Sequence, residues 1–245
     1  MSISINPYLR KTLYIVSLIL LGALFVTLKS NQENHACMSI NIAINAPIEK
    51  QLITENLVKD KLEEWYTNGL SGVLKKDINL IDVESNIKNL PAVKDAEVSF
   101  DLRGELKIEI EQRVPVVRII NSNGASYYLD NEYSKIPSAG TDVARVPIAN
   151  GNFSEAMIKK VYTLSTYVQE NGFMQALTEQ IFVNKKGDLI IIPKVRNQTI
   201  VIGDTLDIEE KFIKLIDFYK HGLNQIGWNK YQTINLKYKN QVVCN

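Results

Sequence analysis

The longest hydrophobic pattern in the chain is Thr12–Leu28, TLYIVSLILLGALFVTL, 17 residues without a charge, preceded by Arg10 and Lys11 and followed by Lys29. As a helix it rises about 25 Å, slightly less than the ~30 Å hydrocarbon core of a bilayer. Snorkelling of Arg10, Lys11 and Lys29, with Tyr8 at one interface, covers the difference. No polar face interrupts the run, which argues against a buried helix of a soluble domain. Leu28-Lys29-Ser30-Asn31-Gln32-Glu33 is a poor signal-peptidase site, and Asn34-His35-Ala36 lacks the large apolar residue that a lipoprotein signal ending at Cys37 carries. The expectation is a transmembrane anchor. Basic residues precede the run, whereas Lys29 and Glu33 after it cancel, so the N-terminus is expected in the cytoplasm and the chain outside from about residue 29.

From Ser39 the pattern changes period. Ile40, Ile42 and Ile44 alternate with polar or small residues in Ser39–Asn45, predicting a half-buried strand. Thr54 caps an expected helix to about Tyr66, with Val58, Leu62 and Trp65 on one face. Asp82 caps a second, short one that buries Val83, Ile87 and Leu90 and stops at Pro91. Two strands follow: Ala96, Val98 and Phe100 point one way on the first, and Leu106, Ile108 and Ile110 on the second. Glu105, Lys107, Glu109 and Glu111 line the wet face of that last strand, and Gly104 supplies positive φ for the turn Asp101–Gly104. The order strand, helix, helix, strand, strand predicts three strands with helices on one face.

Farther on, Ser154–Glu170 reads as an amphipathic helix with Met157, Val161, Leu164 and Val168 inward. Strand-like runs occupy Gln180–Val183, Leu189–Ile192 and Thr199–Ile202. Ile208–His221 carries Phe212, Leu215, Ile216 and Tyr219 on one helical face. Thr233–Val243 is the last apolar-rich run; as an edge strand it offers free N–H and C=O groups to a partner strand, and as an interior strand its Ile234, Leu236 and Tyr238 fill the core.

Charge and chemistry narrow the classes. Lys+Arg 28 against Asp+Glu 27 leaves almost no net charge, which excludes an ordinary nucleic-acid binder. Hydrophobic residues at 45%, with Gly 12 and Pro 7, describe a globular chain, and residues 29–245 suffice for two domains. No nucleophile elbow, phosphate-binding loop or metal-ligand spacing is present, so no catalytic, cofactor-binding or metal residue is assigned. His35, Cys37, His221 and Cys244 lack the spacing of a zinc site. The wet carboxylates Glu105, Glu109 and Glu111 read as a solvated strand face rather than acid/base pairs. Cys37 and Cys244 both fall on the expected outer side, where an oxidising compartment permits a disulfide between them.

The strand–helix–helix–strand–strand order, with Asn89–Val98 leading into the hairpin and Glu111-Gln112-Arg113-Val114-Pro115-Val116 closing it, resembles the POTRA domain of FtsQ/DivIB bacterial cell-division proteins. Ser126–Asp130 followed by Lys135-Ile136-Pro137 resembles the start of the FtsQ β domain, although Tyr133 stands where a turn glycine is expected. Gly227–Cys244 resembles FtsQ proteins of Bacteroidetes-type bacteria. The resemblance implies an α+β chain: a cytoplasmic tail (1–11), a transmembrane helix (12–28), a juxtamembrane segment (29–38), a POTRA domain (39–118) and a β domain with a largely antiparallel sheet (119–245). It further implies a non-enzymatic, single-pass scaffold of the cytoplasmic (inner) membrane at the division septum. The bulk is periplasmic and has other divisome membrane proteins as partners, without cofactor or small-molecule substrate. By the same resemblance the last strand docks FtsB, paired with FtsL, through Lys237, Tyr238 and Val243. Two other classes remain, a membrane-anchored envelope enzyme and a POTRA-type translocation or chaperone component.

Overall fold

The computed structural model describes residues 7–33, 35–67, 69–138, 144–194, 197–227 and 230–245, with the side chains of 7, 9, 10, 25–33, 224 and 226 outside the description. The snorkelling roles of Arg10 and Lys29, and Trp228 and Asn229 of the C-terminal motif, therefore lie outside the described residues. The chain divides into two compact units, one of residues 1–45 and 53–111, the other of 46–52 and 112–245.

The first unit opens with helix α1 (Pro7–Glu33), which runs past the apolar stretch at both ends. Every described side chain from Lys11 to Leu24 is exposed, Leu18 at 78% and Leu21 at 72% among them. Among the described residues no helix is long and apolar enough to cross a membrane; the described side chains of α1 end inside the apolar run.

The rest of this unit is β1 (Ser39–Asn45), α2 (Glu55–Trp65), α3 (Leu80–Lys88), β2 (Val93–Phe100) and β3 (Glu105–Gln112). The sheet order is β1-β3-β2, with β1 parallel to β3 and Ser39 opposite Glu105. Thr54 caps α2 by accepting from the Leu57 N–H. The cap of α3 is Asn79 rather than Asp82: the Asn79 side chain accepts from the Ile81 N–H and donates to the Asp82 carboxylate at 2.7 Å. Asp82 thus sits in the first turn, where an acid still opposes the helix dipole. Val58, Leu62, Val83 and Ile87 close over Ile42, Val98, Leu106, Ile108 and Ile110 to form the core, with Leu90, Trp65 and Phe100 at its margin. Gly104 has the expected positive φ, 94°.

The segment expected as a juxtamembrane linker belongs to this fold. Cys37 is 1% exposed in the core, its N–H bonded to the Val73 carbonyl at 2.7 Å, and Ala36 bridges Leu74.

The second unit contains β4 (Pro115–Ile120), β5 (Ser126–Asp130), β6 (Lys135–Pro137), β7 (Ile148–Gly151), α4 (Glu155–Glu170), α5 (Gly172–Leu177), β8 (Thr178–Val183), β9 (Leu189–Pro193), β10 (Thr199–Gly203), α6 (Ile208–Asp217), α7 (Leu223–Ile226), β11 (Thr233–Asn235) and β12 (Val243–Cys244). Because β4 pairs with β5 and β7, Pro115–Ile120 is a strand of this unit, and a boundary after residue 118 would cut through it. The nine strands form one sheet in the order β12-β11-β10-β9-β8-β7-β4-β5-β6. The expected antiparallel character holds for the hairpins, but β4–β7, β7–β8 and β10–β11 are parallel. The β7–β8 and β10–β11 joins follow connections that contain helices, which return the chain in the same direction, and β4 meets β7 after the intervening β5–β6 pair.

Helices α4, α5 and α6 cover one face. Val161, Leu164 and Val168 of α4, Met174 of α5, and Phe212 and Leu215 of α6 share one core with Ile181, Ile191, Ile200 and Ile234. Ser154 caps α4 as a side-chain acceptor for the Met157 N–H. The single helix expected over Ile208–His221 instead ends as α6 at Asp217 and continues as one π-helical turn, Phe218–Gly222. Tyr219 in that turn is buried, its hydroxyl donating to Gln198 Oε1 at 3.0 Å. Burial pushes the phenol up to about 12.

Candidate partner-docking edge

The alternation Ile234, Leu236, Tyr238 suggests one continuous strand, but the chain folds back after three residues of β11. Asn235 stops the strand: its side-chain oxygen accepts from the Lys237 N–H at 3.0 Å, turning the backbone out of the ladder. Leu236 remains buried, its N–H bonded to the Val201 carbonyl at 2.9 Å. Asn240, at φ 58°, completes the reversal in the left-handed conformation that asparagine tolerates. The chain returns as β12, antiparallel to β11, with Cys244 opposite Ile234 and Val243 opposite Asn235. Lys237 and Tyr238 thus lie in the turn, and of the three expected docking residues Val243 alone is on the edge strand.

The hydrogen-bond phase of β12 determines what the edge presents. Thr233 and Asn245 exchange both N–H···O bonds, each at 3.0 Å. In an antiparallel ladder bonded and non-bonded pairs alternate, so the N–H and C=O of Cys244 point away from β11. They face the open side of the sheet, beyond which no described strand lies. The Cys244 side chain packs against the core, burial pushing its thiol up, while Val243 is 41% exposed on the opposite face. Cys37 and Cys244 are both free thiols, so the permitted bridge is not formed; each is packed into or against the core of a different unit.

The turn is tied down by charge. Lys237 Nζ donates to Asp188 Oδ1 at 2.8 Å, and this contact holds the Asp188 carboxyl below the usual carboxylate range and lifts the Lys237 ammonium. The lysine stem lies across Gly203, where an added Cβ would meet Lys237 Cγ at 2.7 Å and where φ is 79°. Lys214 Nζ, on α6, donates to the Tyr238 carbonyl at 3.0 Å. The Tyr238 ring itself is left 50% exposed.

Sequence reading missed the residues that continue Val243 across the sheet. Register places Val243, Asn235, Val201, Ile190 and Phe182 in one row on the face away from the helices. Phe182 is 37% exposed, and Val201 and Ile190 are half-buried. The signal was present in the alternation of each strand, but cross-strand register requires knowing which strands are neighbours.

A cavity of about 620 Å³ in this unit is lined in part by Glu49, Arg145, Gln175, Thr178, Glu179 and Lys194. Glu49 and Arg145 pair there at 3.5 Å, and neither histidine lines it. His221 faces solvent and contacts Asp217 at 2.8 Å. Among the described residues no group of three or more His, Cys, Asp or Glu side chains is arranged to hold a metal ion.

A family model described as FtsQ/DivIB, C-terminal related, matches residues 114–245, the full run from β4 through the β12 edge. The chain belongs to the FtsQ/DivIB family. A model described as a POTRA-like domain matches residues 35–111. No curated protein sequence matches the chain. The POTRA-like match begins at residue 35, just before Cys37 enters the first core, and ends where the first compact unit ends. The FtsQ/DivIB C-terminal region corresponds to the nine-stranded sheet and its helices. These domains are those of a cell-division scaffold, whose partners are divisome proteins in general.

Proposed function

We propose that this FtsQ/DivIB protein is a non-enzymatic, single-pass membrane scaffold whose β12 edge binds the FtsB–FtsL pair outside the cytoplasmic membrane and so regulates septal peptidoglycan synthesis. The observation that carries the docking role is the phase of β12: its last strand position directs unpaired backbone groups outward. A strand of FtsB added there would take up the Cys244 N–H and C=O, and its side chains would continue the row that begins at Val243. Tyr238, in the turn between β11 and β12, is an exposed aromatic on a pinned backbone, the kind of group that anchors a partner side chain. Lys237 serves differently from its expected direct charged contact, since its ammonium holds the turn through Asp188.

The anchor rests on α1. An apolar helix with every described side chain from Lys11 to Leu24 exposed is unfavourable in water, at roughly 25 cal/mol per Å² of apolar surface, and the 17-residue run Thr12–Leu28 suits a bilayer. With Arg10 and Lys11 before it, the orientation is N-terminus inside and both folded units in the periplasm.

The docking role is tested in the full chain by Tyr238→Ala combined with Val243→Asp. Both side chains are exposed, so thermal unfolding is expected to change little. Recovery of FtsB–FtsL on the tagged protein is expected to fall at least about tenfold, the loss of one good anchor. Undiminished recovery would remove the β12 edge from the interface.

A further inference from the structure

We propose that the end of the POTRA-like unit carrying the Asp101–Gly104 turn rests on the outer surface of the membrane, with Leu102 and Met38 in the headgroup layer and Lys76 and Arg103 against anionic lipid headgroups. This contact rests on the anchor reading of α1, and adds to it that the folded unit itself touches lipid.

Topology fixes which end of the unit is involved. β1 and β3 run parallel with Ser39 opposite Glu105, so both begin at the same end of the sheet. β2 and β3 are adjacent strands joined by a four-residue turn, which requires them to be antiparallel, so the turn projects from the end at which the chain arrives from α1. Backbone bonds lock this end together: Met38 N–H to the Gly104 carbonyl at 3.0 Å, and Lys75 N–H to the His35 carbonyl at 3.0 Å.

The tether is short. From Leu28 to Glu33 the helix rises about 7 Å, close to the thickness of one headgroup layer. From Glu33 to Met38 the chain spans at most about 18 Å. This end of the unit is therefore held within a few residues' reach of the lipid surface.

Its composition matches that surface. Leu102 is 86% exposed and Met38 73%, and no core in the unit uses either. The Arg103 side chain is 88% exposed. Lys76 is exposed, and Lys75 lies over the Phe100 ring while donating to the Asp101 carbonyl. Three acids share the region. Asp101 is turned inward, 13% exposed, its carboxylate accepting from the Arg103 and Glu105 N–H groups and lying 3.5 Å from Arg103 Nε; Glu105 is half-buried, its carboxylate accepting from the Ser39 hydroxyl at 3.3 Å; Asp77 is exposed. The fully exposed charges at this end are thus Lys76 and Arg103 against Asp77. Apolar tips flanked by cations are what an interfacial contact needs, the cations drawn to anionic headgroups and the tips entering the acyl boundary.

The experiment uses the full chain reconstituted in vesicles of phosphatidylcholine and phosphatidylglycerol whose acyl chains carry bromine, a tryptophan quencher, either near the headgroup or at mid-chain. Separate variants carry Leu102→Trp, Leu20→Trp or, at the far end of β1, Asn45→Trp, with the emission of Trp65 and Trp228 subtracted using the unsubstituted protein. Headgroup-proximal bromine is expected to quench Leu102→Trp at least about twofold more than Asn45→Trp, and mid-chain bromine to quench Leu20→Trp. Adding Lys76→Glu and Arg103→Glu is expected to reduce the quenching at position 102. If Leu20→Trp is quenched and Leu102→Trp behaves like Asn45→Trp, the surface contact is overturned while the anchor stands. If Leu20→Trp is not quenched, the anchor reading fails and the contact fails with it.

Discussion

Tyr133 illustrates how a single side chain departs from family expectation without changing the local fold. Where a turn glycine is expected, this chain places a tyrosine and keeps the glycine-like backbone, at φ 63°. The buried Asp130 carboxylate holds the turn, accepting from the Glu132 and Ser134 N–H groups at 2.9 and 2.7 Å and pairing with Arg113 at 2.9 Å. The tyrosine gains an edge-on contact with Tyr162, ring centroids 4.9 Å apart. A left-handed non-glycine residue costs roughly 1 kcal/mol and such a ring pair returns about 0.5–1.5 kcal/mol. Tyr133→Ala keeps the strain and loses the contact, so it is expected to destabilise by about 1 kcal/mol. Tyr133→Gly loses both and is expected to be nearly neutral. Equal loss in the two variants, by denaturant titration, would remove the strain from this account. At Lys237 the residue type was legible from sequence but its role was not, because Asp188 is remote along the chain. The folded Asp188 carboxyl titrates below its unfolded value, so the stability of the pair is present above about pH 4 and is lost as pH falls through the depressed folded value. The stability difference between the native chain and Lys237→Ala is expected to shrink on acidification; a difference that grew would contradict the pairing.

Elements whose signals are local were readable. Thr54 caps the helix expected of it, the helix expected over Ser154–Glu170 forms with Ser154 as its cap, and β3 of the POTRA-like unit alternates between core and solvent. The second helix shows the limit. Asn79 and Asp82 are both good caps three residues apart, and backbone geometry decides for Asn79. Asn79→Ala is expected to destabilise the unit by about 1 kcal/mol and Asp82→Ala by only a few tenths, the value of a first-turn acid, as measured by thermal unfolding. The reverse order would return the cap to Asp82. The C-terminal hairpin was not readable, because apolar alternation continues unbroken through Leu236 and Tyr238. What ends β11 is one side-chain hydrogen bond from Asn235, which leaves no mark on hydrophobic period. The parallel joins of the large sheet were equally hidden, since β7 pairs with β4 across the intervening strands β5 and β6 and with β8 across α4 and α5.

At the scale of the whole molecule the order of the two folded units, POTRA-like and then FtsQ/DivIB C-terminal, was legible in the sequence, and the structure divides the chain between them at other residues. The first folded unit takes in Cys37, which looked like tether, and yields Pro115–Ile120 to the large sheet. Each unit closes its own core, so the proposed docking edge is set within the second unit, by β10, β11 and the pinned turn. The central claim is that this edge binds by strand addition. Site-resolved amide exchange by NMR on the full chain in lipid nanodiscs, free and bound to FtsB–FtsL, tests it most directly. The Cys244 amide, facing outward, is expected to exchange rapidly in the free protein and to become strongly protected in the complex, while the Asn245 amide, already bonded to Thr233, changes little. A complex that forms with Cys244 still exchanging at its free rate would contradict strand addition at β12.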